Sequence, residues 1–216
     1  MSGTAGLRID DEAVLWSASE RDRRGRPLLV LLHGYASHEG DLFGLAPYLP
    51  LAPVIASVRA PIRENGGYAW FSRLDNTPGD PEARNVDAAA AAVLAWLGRV
   101  APAASVGLLG FSQGGVMALQ LLRLAPERFD YAVQLSGFVA DGAHDGDALL
   151  ADRGVPVFWG RGTEDAVIPR ASVERTDAWL PGHSTLRQGI YEGVGHSISG
   201  EELSEIRAFI GEQLAP

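Results

Sequence analysis

Five short runs of this chain are predominantly apolar: 27–32 (PLLVLL), 54–58 (VIASV), 106–109 (VGLL), 131–135 (YAVQL) and 155–159 (VPVFW). Runs of this length without polar alternation are what strands buried on both faces require. Residues 185–191 predict a further strand, and the apolar stretches within 7–17 predict an edge hairpin. Helix-like stretches lie between the runs. Residues 41–49 suit a short helix. Residues 81–100 open with Pro81 in the first turn and carry an alanine run over 88–92. Apolar positions at helical spacing follow Gly114, and 170–180 and 200–214 predict two more helices. Strand and helix alternate throughout, so the expected architecture is α/β: a mostly parallel twisted sheet with helices on both faces. No repeat, low-complexity tract or linker interrupts 1–216, which is read as one domain.

The connections carry the chemistry. In open sheets of this class, ligands bind beyond the carboxyl ends of the strands. His33, Tyr35, Ser112, Ser136, Asp165 and His196 fall just after strands. In Gly110-Phe111-Ser112-Gln113-Gly114 an apolar run enters a sharp turn and a helix-periodic run leaves it. The glycines two residues either side of Ser112 suit a nucleophile elbow, where a side chain would strike the neighbouring strand or helix. The same pentapeptide also reads as a glycine-rich turn with a serine N-cap.

Order along the chain favours the elbow. Ser112, Asp165 and His196 occur as nucleophile, acid and base, the sequence expected of a hydrolase triad on this kind of sheet. His196 would take the Ser112 proton, and Asp165 would fix the imidazole tautomer. His183 is the rival base, but it precedes the last strand, at the opposite end of the sheet. His144 sits in a polar stretch and reads as solvated. Glu164 competes with Asp165, which also reads as a helix cap. The backbone N–H groups of Tyr35 and Gln113 are the expected oxyanion donors. The His33 side chain is expected to hydrogen-bond within its turn.

Composition removes other chemistries. The chain has no cysteine and no lysine; all 18 basic residues are arginine. Thiol catalysis, cysteine-ligated metals, P-loop and Schiff-base mechanisms are therefore excluded. Gly-x-Gly at 160–162 fails as a dinucleotide fingerprint, because Asp165 stands at the third glycine position. His38-Glu39 begins like a zinc motif, but Leu42 occupies the second histidine position. Asp10, Asp11, Asp141, Asp145 and Asp147 read as solvated surface. No cofactor and no metal are expected. A net charge of −9 argues against nucleic acid and anionic membrane as partners. No apolar run is long enough to span a membrane, and no secretory signal is recognisable at the start of the chain, so a cytoplasmic location is expected.

The stretches LLHGYASHEGDLFGLAPYLP, APIRENGGYAWF, GFSQGGVMALQL, QLSGF, GRGTEDAVIP and YEGVGHSIS occur in that order from about residue 28 onward. Together they resemble the phospholipase/carboxylesterase family of α/β-hydrolases, which includes bacterial carboxylesterases and acyl-protein thioesterases. The resemblance implies the α/β-hydrolase fold, a Ser112–Asp165–His196 triad, and an oxyanion hole at Tyr35 and Gln113. It implies a serine carboxylesterase or thioesterase. The alternatives are a non-catalytic ligand-binding protein on the same scaffold, or peptidase or perhydrolase chemistry on the same triad. Family members often have Gly where this chain has Ala36. Only roughly 18 residues separate the strands ending near Leu135 and beginning near Val155, too few for a large lid domain. The expected site is shallow and takes short or medium acyl esters or thioesters. The long loop at 60–80 is to supply its wall, with Trp70 and Phe71 either contacting the small-molecule substrate or pinning the loop. A homodimer is compatible with the sequence, which does not locate an interface.

Overall fold

A computed structural model describes residues 6–74, 79–100 and 102–215. The elements, in chain order, are β1 (Leu15–Trp16), α1 (Glu20–Arg23), β2 (Leu28–Leu32), α2 (Glu39–Phe43), β3 (Val54–Val58), β4 (Ile62–Glu64), β5 (Gly67–Ala69), α3 (Ala83–Leu97), β6 (Val106–Phe111), α4 (Gln113–Leu124), β7 (Tyr131–Leu135), α5 (Asp147–Arg153), β8 (Pro156–Gly162), α6 (Arg170–Trp179), β9 (Thr185–Tyr191) and α7 (Gly200–Gln213). Seven strands form one sheet in the order β1-β3-β2-β6-β7-β8-β9, parallel except for β1. The expected mostly parallel α/β-hydrolase sheet is therefore present.

Both faces of the sheet are covered, which is why the strands read as unbroken apolar runs. Along β2, Leu28, Val30 and Leu32 join the core beneath α3, α4 and α6. Leu29 and Leu31 face the opposite core, shared with α2 and α7. All five of these leucine and valine side chains are buried. Trp70, Trp96 and Trp159 lie in the first core, Phe158, Phe209 and Tyr131 in the second.

Several expectations over the short elements are corrected. Residues 7–17 form no hairpin: a single turn of 3₁₀ helix at Asp11–Ala13 precedes β1, which pairs antiparallel with β3. Two residues of strand are too short for an alternation signal. The helix expected at 41–49 breaks after Phe43 and resumes as a 3₁₀ turn at Ala46–Tyr48, where Pro47 lacks an N–H to continue the ladder. The 60–80 loop contains the β4–β5 hairpin, turned at Asn65 and Gly66, both with positive φ. Its residues 75–78 lie outside the described part. The polar stretch 137–154 contains α5, which ends on Gly154 in the left-handed conformation. No helix among the described residues is long and apolar enough to cross a membrane.

Candidate active site

Ser112 sits between β6 and α4 with φ 56° and ψ −117°, a strained conformation for a residue with a side chain. Close packing holds it there. A Cβ on Gly110 would fall on the Gly114 carbonyl, and a Cβ on Gly114 would fall on the Leu32 carbonyl of β2. The glycines at ±2 are thus required by backbone approach on both sides. The Ser112 N–H donates to the Leu135 carbonyl at 2.8 Å, which fixes the turn against β7.

His196 and Asp165 converge on this turn from the ends of β9 and β8. His196 Nε2 lies 2.9 Å from Ser112 Oγ, and His196 Nδ1 lies 2.7 Å from Asp165 Oδ2. The other carboxylate oxygen, Oδ1, accepts the N–H groups of Val167 at 2.9 Å and Ile168 at 3.2 Å. An aspartate with both oxygens engaged is held against rotation away from the imidazole. The Phe111 ring packs 4.8 Å from that of His196. The two loops are tied together: Glu164 N–H donates to the Val194 carbonyl, Gly193 N–H to Thr163 Oγ1. Gly162 permits this, since a Cβ there would strike the Val194 carbonyl.

Three residues beyond His196, α7 starts with a capping box between Ser199 and Glu202. Glu202 is fully buried, and burial pushes its carboxyl up to about 7, the hydrogen bond from the Ser199 backbone pulling the other way.

The loop after β2 closes the other side. A Cβ on Gly34 would come within 3.5 Å of Ser112 Cβ, so the Gly34–Tyr35 backbone runs beside the serine. The N–H groups of Tyr35 and Gln113 are engaged by no other group of the described residues. Ala36 has φ 56°, the left-handed region that glycine would enter without strain. His33 is buried; its Nδ1–H donates to the Gly34 carbonyl at 2.7 Å and its Nε2 accepts Ala60 N–H at 3.1 Å. Burial holds its pKa below the usual histidine value, consistent with that neutral tautomer.

The two aromatic residues of the wall are placed differently. Trp70 is fully buried, and its indole N–H donates to the His33 carbonyl at 2.8 Å, which pins the loop to the turn after β2. Phe71 does line the cleft at Ser112, with Tyr35, Gln113, Phe138, Val167 and Ile168. That cleft is narrow, about 50 Å³. Two further features carried no sequence signal. The Gln113 carboxamide accepts Trp70 N–H at 3.1 Å and donates to the Phe71 carbonyl at 2.7 Å, joining the elbow to the wall. Glu64 accepts from Tyr35 Oη and from Arg73 N–H. Burial alone would raise the Glu64 carboxyl; the hydrogen bonds from Arg73, Ser72 and Tyr35 outweigh it and hold its pKa below the usual value.

The remaining histidines and acids stand apart. His183 stacks on Trp179 at 4.1 Å. His144, expected to be solvated, packs against Gln120, its Nε2 2.9 Å from the amide nitrogen. Asp147, also expected at the surface, pairs with the buried guanidinium of Arg123. Burial alone would raise the Asp147 carboxyl; the hydrogen bonds from Arg123 and from His144 N–H together outweigh it and hold its pKa below the usual value. His38 caps α2, and Glu39 pairs with Arg59. Glu164 is exposed.

Comparison with known proteins identifies the family and supports the fold. A family model described as Phospholipase/Carboxylesterase matches residues 17–214. Acyl-protein thioesterase 1 of Eremothecium gossypii is 28% identical over 233 aligned positions, covering 99% of this chain and 95% of its own. A carboxylesterase structure from Bacillus cereus superposes with a TM-score of 0.80 at 20% identity, covering 98% of this chain and 97% of that one. A carboxylesterase from Mesorhizobium loti does so at 0.76 and 20%, covering 95% and 99%. The chain belongs to the phospholipase/carboxylesterase family of hydrolases.

Proposed function

We propose that this protein is a serine hydrolase that cleaves carboxylic esters or thioesters of short to medium acyl chains. The carrying observation is the unbroken hydrogen-bonded line Ser112 Oγ–His196 Nε2–His196 Nδ1–Asp165 Oδ2 beside two unengaged backbone N–H groups. His196 removes the Ser112 proton as Oγ attacks the acyl carbon. The oxyanion then receives hydrogen bonds from Gln113 N–H and Tyr35 N–H. His196 returns the proton to the departing alcohol or thiol, leaving the acyl group on Ser112. Water, deprotonated by the same imidazole, releases the acid and restores the serine. Asp165 holds the imidazole in orientation and stabilises the imidazolium.

The apolar lining from Phe71, Phe138, Val167 and Ile168 supports an acyl chain as occupant, and the narrow volume supports a short or medium one. The thioester half of the reading is supported by the names of relatives such as acyl-protein thioesterase 1 of Eremothecium gossypii. A fluorophosphonate probe should add its mass once to the folded protein and not to Ser112→Ala. Absence of labelling in folded wild type would overturn the assignment.

A further inference from the structure

A second cleft, about 640 Å³, opens across Ile168, which lines both cavities. The ends of β7 and β8 contribute Ser136 and Arg161; α6 contributes Val173, Glu174 and Asp177. Asp165 borders it as well. Arg161 lies two residues beyond Trp159 on β8, on the same face, its guanidinium carbon 5.7 Å from that indole.

The polar groups of this cleft are unequally engaged. Asp165 is saturated by His196, Val167 and Ile168. Glu174 holds Arg170 at 2.7 Å, and Asp177 accepts from Gln188 at 3.2 Å. Arg161 has neither a hydrogen bond nor an ion pair among the described residues, and its Nε is buried without a partner. The other part-buried or buried arginines, Arg23, Arg26, Arg59, Arg123 and Arg175, each donate to a carbonyl or carboxylate. Ser136, 2% exposed, likewise holds its hydroxyl without a partner. Buried donors left in this state are costly, a cationic one most of all. With the acids already matched, the unspent capacity of the cleft is that of a guanidinium beside a hydroxyl. That pair is suited to an oxyanion.

We propose that Arg161 and Ser136 form a subsite for a carboxylate or phosphate on the leaving-group half of the substrate. The assignment of halves rests on Ser112 acting as nucleophile. His196 hands its proton to the leaving atom, and its partner Asp165 borders this cleft. The oxyanion donors and the apolar residues Phe71, Phe138 and Val167 border the other. The substrate class is thus an ester or thioester with an apolar acyl chain and an anionic alcohol or thiol portion.

The test separates binding from turnover. Calorimetry on Ser112→Ala compares 4-hydroxybenzoate and phenyl phosphate with neutral methyl 4-hydroxybenzoate. Either or both anions should bind at least tenfold more tightly than the neutral compound. Arg161→Gln in that background should remove the advantage, and Arg161→Lys should keep part of it. The tighter anion identifies carboxylate or phosphate as the group read. In turnover, the ratio of kcat/KM for 4-carboxyphenyl butyrate to that for 4-(methoxycarbonyl)phenyl butyrate should fall at least tenfold in Arg161→Gln; comparing variants cancels leaving-group reactivity. Equal binding of all three compounds means that the cleft holds only water and overturns the subsite, as does an anion preference that survives Arg161→Gln. Failure of the nucleophile assignment appears differently: wild type neither labels with fluorophosphonate nor turns over either ester, whatever the anion binding.

Discussion

The side chain of Gln113 holds the backbone of Trp70: its amide oxygen accepts the Trp70 N–H at 3.1 Å while its amide nitrogen donates to the next carbonyl. One residue thus presents an unengaged backbone N–H beside Ser112 and a carboxamide to the wall of the cleft. Gln113→Leu would leave a buried N–H and a buried carbonyl unpaired, costing about 2 kcal/mol or more. The expected fall in Tm is roughly 4–8 °C, with kcat/KM for a butyryl ester reduced at least tenfold. A Tm within 1 °C of wild type would show that the clamp does not bear on the fold.

Asp165→Asn separates orientation from folding. The asparagine oxygen can still accept from Val167 and Ile168, so thermal stability should stay close to wild type. Its NH₂ would face His196 Nδ1 and favour the tautomer that cannot accept the Ser112 proton. The expected loss in kcat is about 10⁴-fold. An asparagine variant within tenfold of wild type would contradict the orienting role.

Glu202 links stability to pH. Its folded pKa, pushed up to about 7 mainly by burial, lies above the ordinary carboxyl value of 4.5. The folded state therefore holds the proton more tightly than the unfolded chain. The stabilisation is complete below the ordinary value and is lost as pH rises through about 7. The loss is on the order of 3 kcal/mol. Glu202→Gln keeps an acceptor for the Ser199 N–H without the titration. Urea unfolding at pH 5 and pH 8 should show wild type losing stability relative to this variant at the higher pH; parallel behaviour would refute the linkage.

Gly114→Ala tests the packing of the elbow. The added methyl would fall on the Leu32 carbonyl, which belongs to the central strand β2 and cannot yield as a side chain can. A cost of about 3 kcal/mol is expected, with loss of activity. An alanine variant with wild-type Tm would mean that α4 can move away from β2.

The long apolar strands and the convergence of Ser112, Asp165 and His196 were legible because burial on both faces and reactive residues placed just after strands leave direct marks in a sequence. What was not legible depended on side chains acting on distant backbone. Gln113 reads as a polar residue after a serine; its clamp on residues 43 and 42 positions earlier exists only in the folded chain. Trp70 and Phe71 are adjacent large aromatics, yet one is a buried anchor and the other lines the cleft. Asp147 resembled its solvated neighbours because its partner Arg123 lies on another helix. The break after Phe43 and the two-residue β1 were too short to register as periodicity.

The last strand has consequences for how this protein loses activity. β9 is an edge, held laterally by β8 alone, and His196 follows directly from it, whereas Ser112 follows β6 in the interior of the sheet. Fraying of one peripheral strand would carry His196 away from Ser112 while the tryptophan-rich centre stays folded. Turnover is then a more sensitive gauge of the molecule's condition than its fluorescence. In a urea titration, catalysis should fade before the emission of the buried Trp70, Trp96 and Trp159 changes; coincident midpoints would mean that the edge and the centre come apart as one unit.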